Sequence, residues 1–264
     1  MKHIISLSGG VGSYFSLKRI IEKHGKENVV AVFCDTLEED GDLYRFLDDI
    51  ERVLDISIHK LCVGKTPFEL AYEENFVYNS RVANCSKKLK SRPFIKWLKE
   101  NYSPDECILY LGIDWTETHR CEAIKRNYKP YRVEFPMCEK PYISKNEMVE
   151  MLKDDGIEIP RLYKLGFSHN NCGGFCFKAG IGHFRNLYEK DKNRYLQFEN
   201  KEQMLIKKIG KEVGILKRKG KPFTLRQLRE IIESEHEQLS MFECYDIGGC
   251  GCFLDEIEME DKGE

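Results

Sequence analysis

Residues 3 to 13 read His3-Ile4-Ile5-Ser6-Leu7-Ser8-Gly9-Gly10-Val11-Gly12-Ser13, and their order decides the fold. A short apolar run passes into a glycine-rich loop. The segment from Tyr14 to His24 then carries Leu17, Ile20 and Ile21 at the spacing of a helix packed on a sheet. Strand, loop and helix in this order place backbone N–H groups at a helix N-terminus, where glycines leave no side chain between them and an anion. Three glycines flanked by serines exceed what a tight turn needs, so Ser8, Gly9, Gly10, Gly12 and Ser13 read as a phosphate cradle. The spacing is neither that of a Walker A loop, whose lysine is missing, nor that of a Gly-x-Gly-x-x-Gly dinucleotide fingerprint.

Outward from the loop, strands and helices alternate. Asn28 to Cys34 is a continuously apolar strand, followed by a helix with Leu43, Phe46, Leu47, Ile50, Val53 and Leu54 on one face. A third strand is expected at Ile56 to Val63, and a capped helix from Thr66-Pro67-Phe68-Glu69 to about Asn75. A helix over Ser91 to Asn101, a strand over Cys107 to Gly112 and another over Tyr131 to Phe135 follow, before a helix capped by Ser144 and Glu147. This predicts an α/β fold with a doubly wound, mostly parallel sheet. The rhythm then stops. Residues 1–159 are expected to form the nucleotide-binding α/β domain, and residues 160–264 a cysteine-rich, mainly helical C-terminal region with a metal site. That region has a helix through Tyr195 to Lys208, a basic connector, a helix from Thr224, a second cysteine cluster and an acidic tail.

With 41% hydrophobic and 33% charged residues, the 264-residue chain has the composition of a globular protein. No apolar run approaches the roughly 20 residues that span a bilayer, and the apolar start is too short for a signal peptide, so no membrane association and a cytoplasmic location are expected. Eleven cysteines in such a chain point to metal ligation or catalysis rather than to disulfides. At a net charge of −2, binding of RNA or another nucleic acid would rest on local basic clusters at 87–92 and 207–221.

In a doubly wound sheet, ligands sit beyond the carboxyl ends of the strands, where the loop, Asp35, Gly112 and Asp114 converge. Each aspartate also reads as a strand-end or helix cap. Arg120, beside His119, offers a cation to a phosphate or sulfonucleotide, or else is a solvated loop arginine. Cys85 precedes Lys87, Lys88, Lys90 and Arg92, an electropositive setting that would lower a thiol pKa; the alternative is an exposed basic helix face. Cys85, Lys87 and Arg120 are accordingly the catalytic candidates. Cys172 with Cys176, and Cys250 with Cys252, form two glycine-spaced pairs suited to a tetrathiolate holding zinc or an iron–sulfur cluster, with Cys244 as a substitute ligand. His169 and His183 could orient a ligand, whereas Cys62, Cys107, Cys121 and Cys138 read as core or incidental thiols.

The loop resembles the Ser-Gly-Gly-x-Asp-Ser signature of the PP-loop ATP pyrophosphatase superfamily, and its companions resemble the phosphoadenosine phosphosulfate (PAPS) reductase-like branch. Those companions are Cys34-Asp35-Thr36, Cys85 to Lys90, Gly112-Ile113-Asp114-Trp115 and Cys172 to Cys176. The resemblance implies a HUP/PP-loop fold, ATP as the adenine nucleotide, and a 4Fe–4S cluster in preference to zinc. Gly12 departs from the pattern, standing where ATP-cleaving members carry aspartate; the reductases also lack it. The implied activity is adenylation of a nucleobase or other nucleotide-derived acceptor for sulfur transfer. The alternatives are a sulfonucleotide reductase and a non-catalytic nucleotide- or nucleic-acid-binding module. A homodimer stays open.

Overall fold

A computed structural model describes residues 1–79, 82–170, 172–234 and 238–248. The chain begins with β1 (Lys2–Leu7), α1 (Val11–His24), β2 (Val29–Asp35), α2 (Gly41–Leu54), β3 (Ile58–Cys62) and α3 (Pro67–Glu73). A π-type turn (Lys87–Ser91) leads into α4 (Arg92–Asn101), β4 (Cys107–Leu111), a 3-10 turn (Trp115–Arg120), α5 (Cys121–Asn127), β5 (Arg132–Glu134) and α6 (Lys145–Asp154). The five strands form one parallel sheet in the order β3-β2-β1-β4-β5, so the order reverses between β1 and β4. This is the doubly wound α/β arrangement expected, and the glycine loop lies at its switch point.

Side chains alternate across the sheet because the strand repeat is two. Ile5, Leu7, Ala31, Phe33 and Tyr110 pack with α1, α2 and α6 on one face, while Ile4, Val32, Cys34, Leu109 and Leu111 pack with α4 and α5 on the other. Burial on both faces explains why β1 and β2 read as unbroken apolar runs. On α2, Leu43, Phe46, Leu47 and Ile50 are fully buried, and Asp40 caps the helix by accepting from the Asp42 N–H at 3.0 Å. The capping boxes expected at Thr66 and Ser144 are both formed.

Beyond α6 come α7 (Arg161–Lys164), α8 (Ile181–Lys190), α9 (Lys192–Ile209), a hairpin of β6 (Leu216–Arg218) and β7 (Lys221–Phe223), α10 (Leu225–Glu233) and α11 (Met241–Tyr245). The basic connector is thus a hairpin, turning through Lys219 and Gly220, both left-handed (φ 50° and 79°). Buried residues of α8, α9 and α10 share one apolar cluster with Phe68, Leu70, Ala71, Tyr78 and Leu89, so α3 and the segments around Tyr78 and Leu89 pack with the C-terminal helices. Among the described residues no helix is long and apolar enough to cross a membrane.

Inside this cluster Glu202 of α9 is fully buried, accepting from the N–H groups of Ile215 (3.0 Å) and Leu225 (2.7 Å), and burial pushes its pKa up to about 7. The folded state therefore holds the Glu202 proton more tightly than the unfolded chain, whose glutamates titrate near ~4.3. Stability tied to this group is present at low pH and is lost as pH rises through about 7. Urea unfolding of the wild type and Glu202→Gln between pH 5 and pH 8 should show a wild-type decline, on the order of 3 kcal/mol at most, that is absent from the variant. Parallel profiles would show that the carboxyl is not protonated in the fold.

Candidate nucleotide-binding site

Gly9 has φ +74°, and a Cβ there would stand 2.7 Å from Leu43 Cδ1, so conformation and packing both require glycine. Gly10 precedes α1 in extended conformation. The serine hydroxyls turn inward on the loop: Ser13 Oγ donates to Gly10 O (2.7 Å) and Ser16 Oγ to Gly12 O (2.9 Å). Two C-terminal residues complete the cradle. Asn170 Nδ2 donates to Gly9 O at 2.8 Å, and Tyr163 Oη accepts from Val11 N at 3.4 Å. Ser8, Gly10, Gly12, Ser13, Gly112 and Asp114 line a cleft of about 130 Å³ here, together with Lys145 and His169.

The two glycines facing each other across this cleft differ in kind. A Cβ on Gly112 would stand 2.9 Å from Ser13 Cα, so Gly112 lets the end of β4 close onto the start of α1. Gly12 has no left-handed φ, and a Cβ would meet only Gly112 O, at 3.8 Å. Neither backbone nor packing requires glycine at position 12; its effect is to leave the cleft without a side chain.

The charged groups are arranged differently from the sequence expectations. Asp35 Oδ1 accepts from Leu37 N (2.8 Å) and Tyr44 Oη (2.9 Å), a strand-end cap. Asp114 caps the 3-10 turn through Thr116 N (2.8 Å) and Thr116 Oγ1 (2.7 Å) while still lining the cleft. Arg120 is not a solvated loop residue: it is 6% exposed, and its guanidinium meets Glu117 at 2.7 Å. Lys145, at the first position of α6, is the exposed cation of the cleft and pairs with no described acid. Its helix-start position gave no signal of a site. Burial lowers the His169 pKa to about 4, so the ring is neutral near pH 7.

Two of the four basic groups of the run are paired. Lys88 pairs with Glu74 (2.6 Å), and Lys90, 8% exposed, pairs with the fully buried Glu39 (3.1 Å). Lys87 and Arg92 pair with no described acid. Glu39 also accepts from Thr36 Oγ1 at 3.0 Å and from the N–H of Cys172. Cys172, Gly173 and Gly174 are successively left-handed (φ 50°, 58° and 78°), which glycine tolerates and cysteine rarely adopts. Cys85 and Cys176 both stand near enough to act on the charge of Cys172, whose thiol burial pushes well above its usual range. The structure thus brings Cys85 to the cysteine segment; Cys85 is not among the residues lining the phosphate cleft.

Thiols of these types suit zinc or an iron–sulfur cluster. Among the described residues, however, no three His, Cys, Asp or Glu form a group that could hold a metal. Cys250 and Cys252 lie outside the described residues. Cys244 accepts from Arg185 Nη1 at 2.8 Å, and His183 Nε2 contacts Gly174 O at 2.9 Å.

No family model matches the chain, and a search of curated proteins returns no match. Among solved structures the chain is similar to a phosphoadenylyl-sulfate (PAPS) reductase from Candida auris in a phosphate complex, at 14% identity and a TM-score of 0.45, over 64% of this chain and 79% of that one. A likeness of that size bears on neither substrate nor chemistry.

The two cleft glycines should separate on substitution. Gly12→Ala is expected to keep or raise the unfolding free energy, by up to about 1 kcal/mol, because alanine favours a helix start over glycine. Gly112→Ala should lower it by about 1–3 kcal/mol through overpacking on Ser13. Chemical denaturation measures both; equal destabilisation would refute the distinction. Lys90→Met, which strands the buried Glu39 carboxylate, should cost about 3–5 kcal/mol by the same assay.

Proposed function

We propose that the chain is a PP-loop enzyme that binds ATP in the cleft at the start of α1, adenylates a nucleobase or other nucleotide-derived acceptor, and directs sulfur onto the activated carbon. One observation carries this reading: Asn170, two residues before Cys172, donates to Gly9 O, so the cysteine segment is stitched to the phosphate loop. Such adjacency suits a transfer between a sulfur species and a nucleotide-activated group.

The acceptor carbonyl oxygen would attack the α-phosphorus of ATP, releasing pyrophosphate. A sulfide, brought as co-substrate, would then attack the carbon, forming the C–S bond and losing its proton, and AMP would leave with the C–O bond electrons. The N-terminus of α1 and Lys145 would take the phosphate charge. His169, neutral near pH 7, is suited to accept or donate a single hydrogen bond. A metal centre held by Cys172, Cys176, Cys250 and Cys252 would supply a binding point for sulfur if iron–sulfur, or a structural clip if zinc. An RNA acceptor is favoured by Lys207, Lys211, Lys217, Lys219 and Lys221, none of which pairs with a described acid.

Gly12 favours a second reading. With no carboxylate there to organise a metal on the phosphates, a sulfonucleotide reductase would use the same cradle for an adenylyl sulfate. A nucleotide-binding module without turnover is the third reading.

Anaerobic incubation with ATP and RNA should release pyrophosphate and AMP, and Cys172→Ser should abolish sulfur incorporation and metal content while leaving pyrophosphate release intact. Sulfite from PAPS without pyrophosphate from ATP would replace this reading with the reductase; ATP binding without either product would leave the binding module. Elemental analysis of anaerobically purified protein, with zinc and no iron, would refute the cluster.

A further inference from the structure

The cleft of about 130 Å³ is small. Pockets that enclose a drug-sized ligand run to roughly 300–1,000 Å³, so this one can take phosphate groups but leaves the ring systems of a nucleotide, or of a second substrate, at its mouth. Two aromatic side chains flank it. Trp115 directly follows Asp114, which lines the cleft, and Tyr142, three residues before the cleft-lining Lys145, lines an adjoining cleft that shares Val149 with this one. Their rings stack on each other, with centroids 5.4 Å apart and planes 23° from parallel.

The pair is held rather than loose. Trp115 Nε1 donates to Ile143 O at 3.3 Å, which satisfies its polar atom and fixes the ring. The segment carrying Tyr142 is in turn clamped by Arg19 of α1, which donates to Pro136 O (2.7 Å), Glu139 O (3.1 Å) and Pro141 O. Yet Trp115 remains 38% exposed and Tyr142 50% exposed. The other tryptophan, Trp97, instead packs against His59, Phe94 and Tyr102. Fixed, stacked aromatic surface left in water beside an anion-binding loop is what recognition of a planar ring requires.

We propose that Trp115 and Tyr142 form a stacking platform for a nucleobase at the mouth of the cleft. The inference rests on the nucleotide-binding reading of that cleft. The base is either the adenine of the bound nucleotide or a base of the acceptor, and both present the same π face.

In a Trp97→Phe background, Trp115 is the one remaining indole and reports directly by fluorescence. The protein is titrated with ATP, with inorganic tripolyphosphate and with a single-stranded oligoribonucleotide, while calorimetry follows binding independently. Base-containing ligands should quench Trp115, whereas tripolyphosphate should bind without quenching. Trp115→Ala should weaken base-containing ligands roughly ten- to a hundred-fold, leave tripolyphosphate affinity and the thermal midpoint unchanged, and be partly rescued by Trp115→Phe. Quenching by ATP, with ATP affinity lost in Trp115→Ala, identifies adenine as the occupant; quenching by the oligonucleotide alone identifies the acceptor base. If ATP binds by calorimetry and no ligand quenches Trp115, the platform is overturned while the cleft reading stands. If only the oligonucleotide binds and quenches, the platform stands and the ATP reading falls.

Discussion

The site depends on one buried carboxylate. Glu39 lies four residues beyond the end of β2 with no exposed side-chain surface, and it accepts from Thr36, Lys90 and the backbone of Cys172. An uncompensated charge at such depth would cost several kcal/mol, so the three donors must be in place together for the fold to keep it. That condition joins the end of β2, the π-type turn after Cys85 and the left-handed Cys172 to Gly174 segment. The strained conformation of Cys172 persists because its N–H has a carboxylate partner, and Asn170 passes the same constraint to Gly9.

A second line of organisation runs along α1. Its first residues meet β4 at Gly112, and one turn and a half later Arg19 gathers three carbonyls of the segment that ends in Tyr142 and Lys145. One helix therefore sets both the glycine loop and the segment that carries Tyr142 and Lys145. Lys18, its neighbour, reaches Asp155 just beyond α6 at 2.6 Å, which fixes the helix that begins at Lys145. Rigid support from packed elements is what a charge-binding cleft needs to hold its geometry.

What could be read from the sequence was local. The β1–loop–α1 unit, the apolar stripe of α2 and the capping boxes at Thr66, Ser144 and Thr224 each lie within a few residues and carry their own physical signature. What could not be read was long-range. Glu39 sits in Thr36-Leu37-Glu38-Glu39-Asp40, which reads as a solvated acidic loop until Lys90, 51 residues on, and Cys172, 133 residues on, are brought to it. Within the basic run, Lys88 and Lys90 are paired with Glu74 and Glu39, partners that spacing does not reveal. The β6–β7 hairpin was hidden because only Leu216 and Phe223 mark its inner face among lysines and glycine. The cysteine spacing was legible, but the influence of Cys85 on Cys172 was not, because it depends on how Phe68, Tyr78, Ala83 and Leu89 pack with the C-terminal helices.

Gly12 bears most directly on mechanism. Neither conformation nor packing demands a glycine at position 12, which lines the cleft and adds no side chain to it. The remaining cleft acids are already engaged: Asp114 with Thr116, and Glu117 with Arg120. Both bonds on Asp114 fall on Oδ1, and among the loop amides Val11 N already donates to Tyr163 Oη and Ser13 N to Gly10 O, whereas Lys145 meets an anion with no described bond displaced. Position 12 adds no carboxylate to the cleft, and Lys145 is its exposed positive group. Under the proposed adenylation, Lys145 and the positive end of the α1 dipole would stabilise the charge on the phosphates.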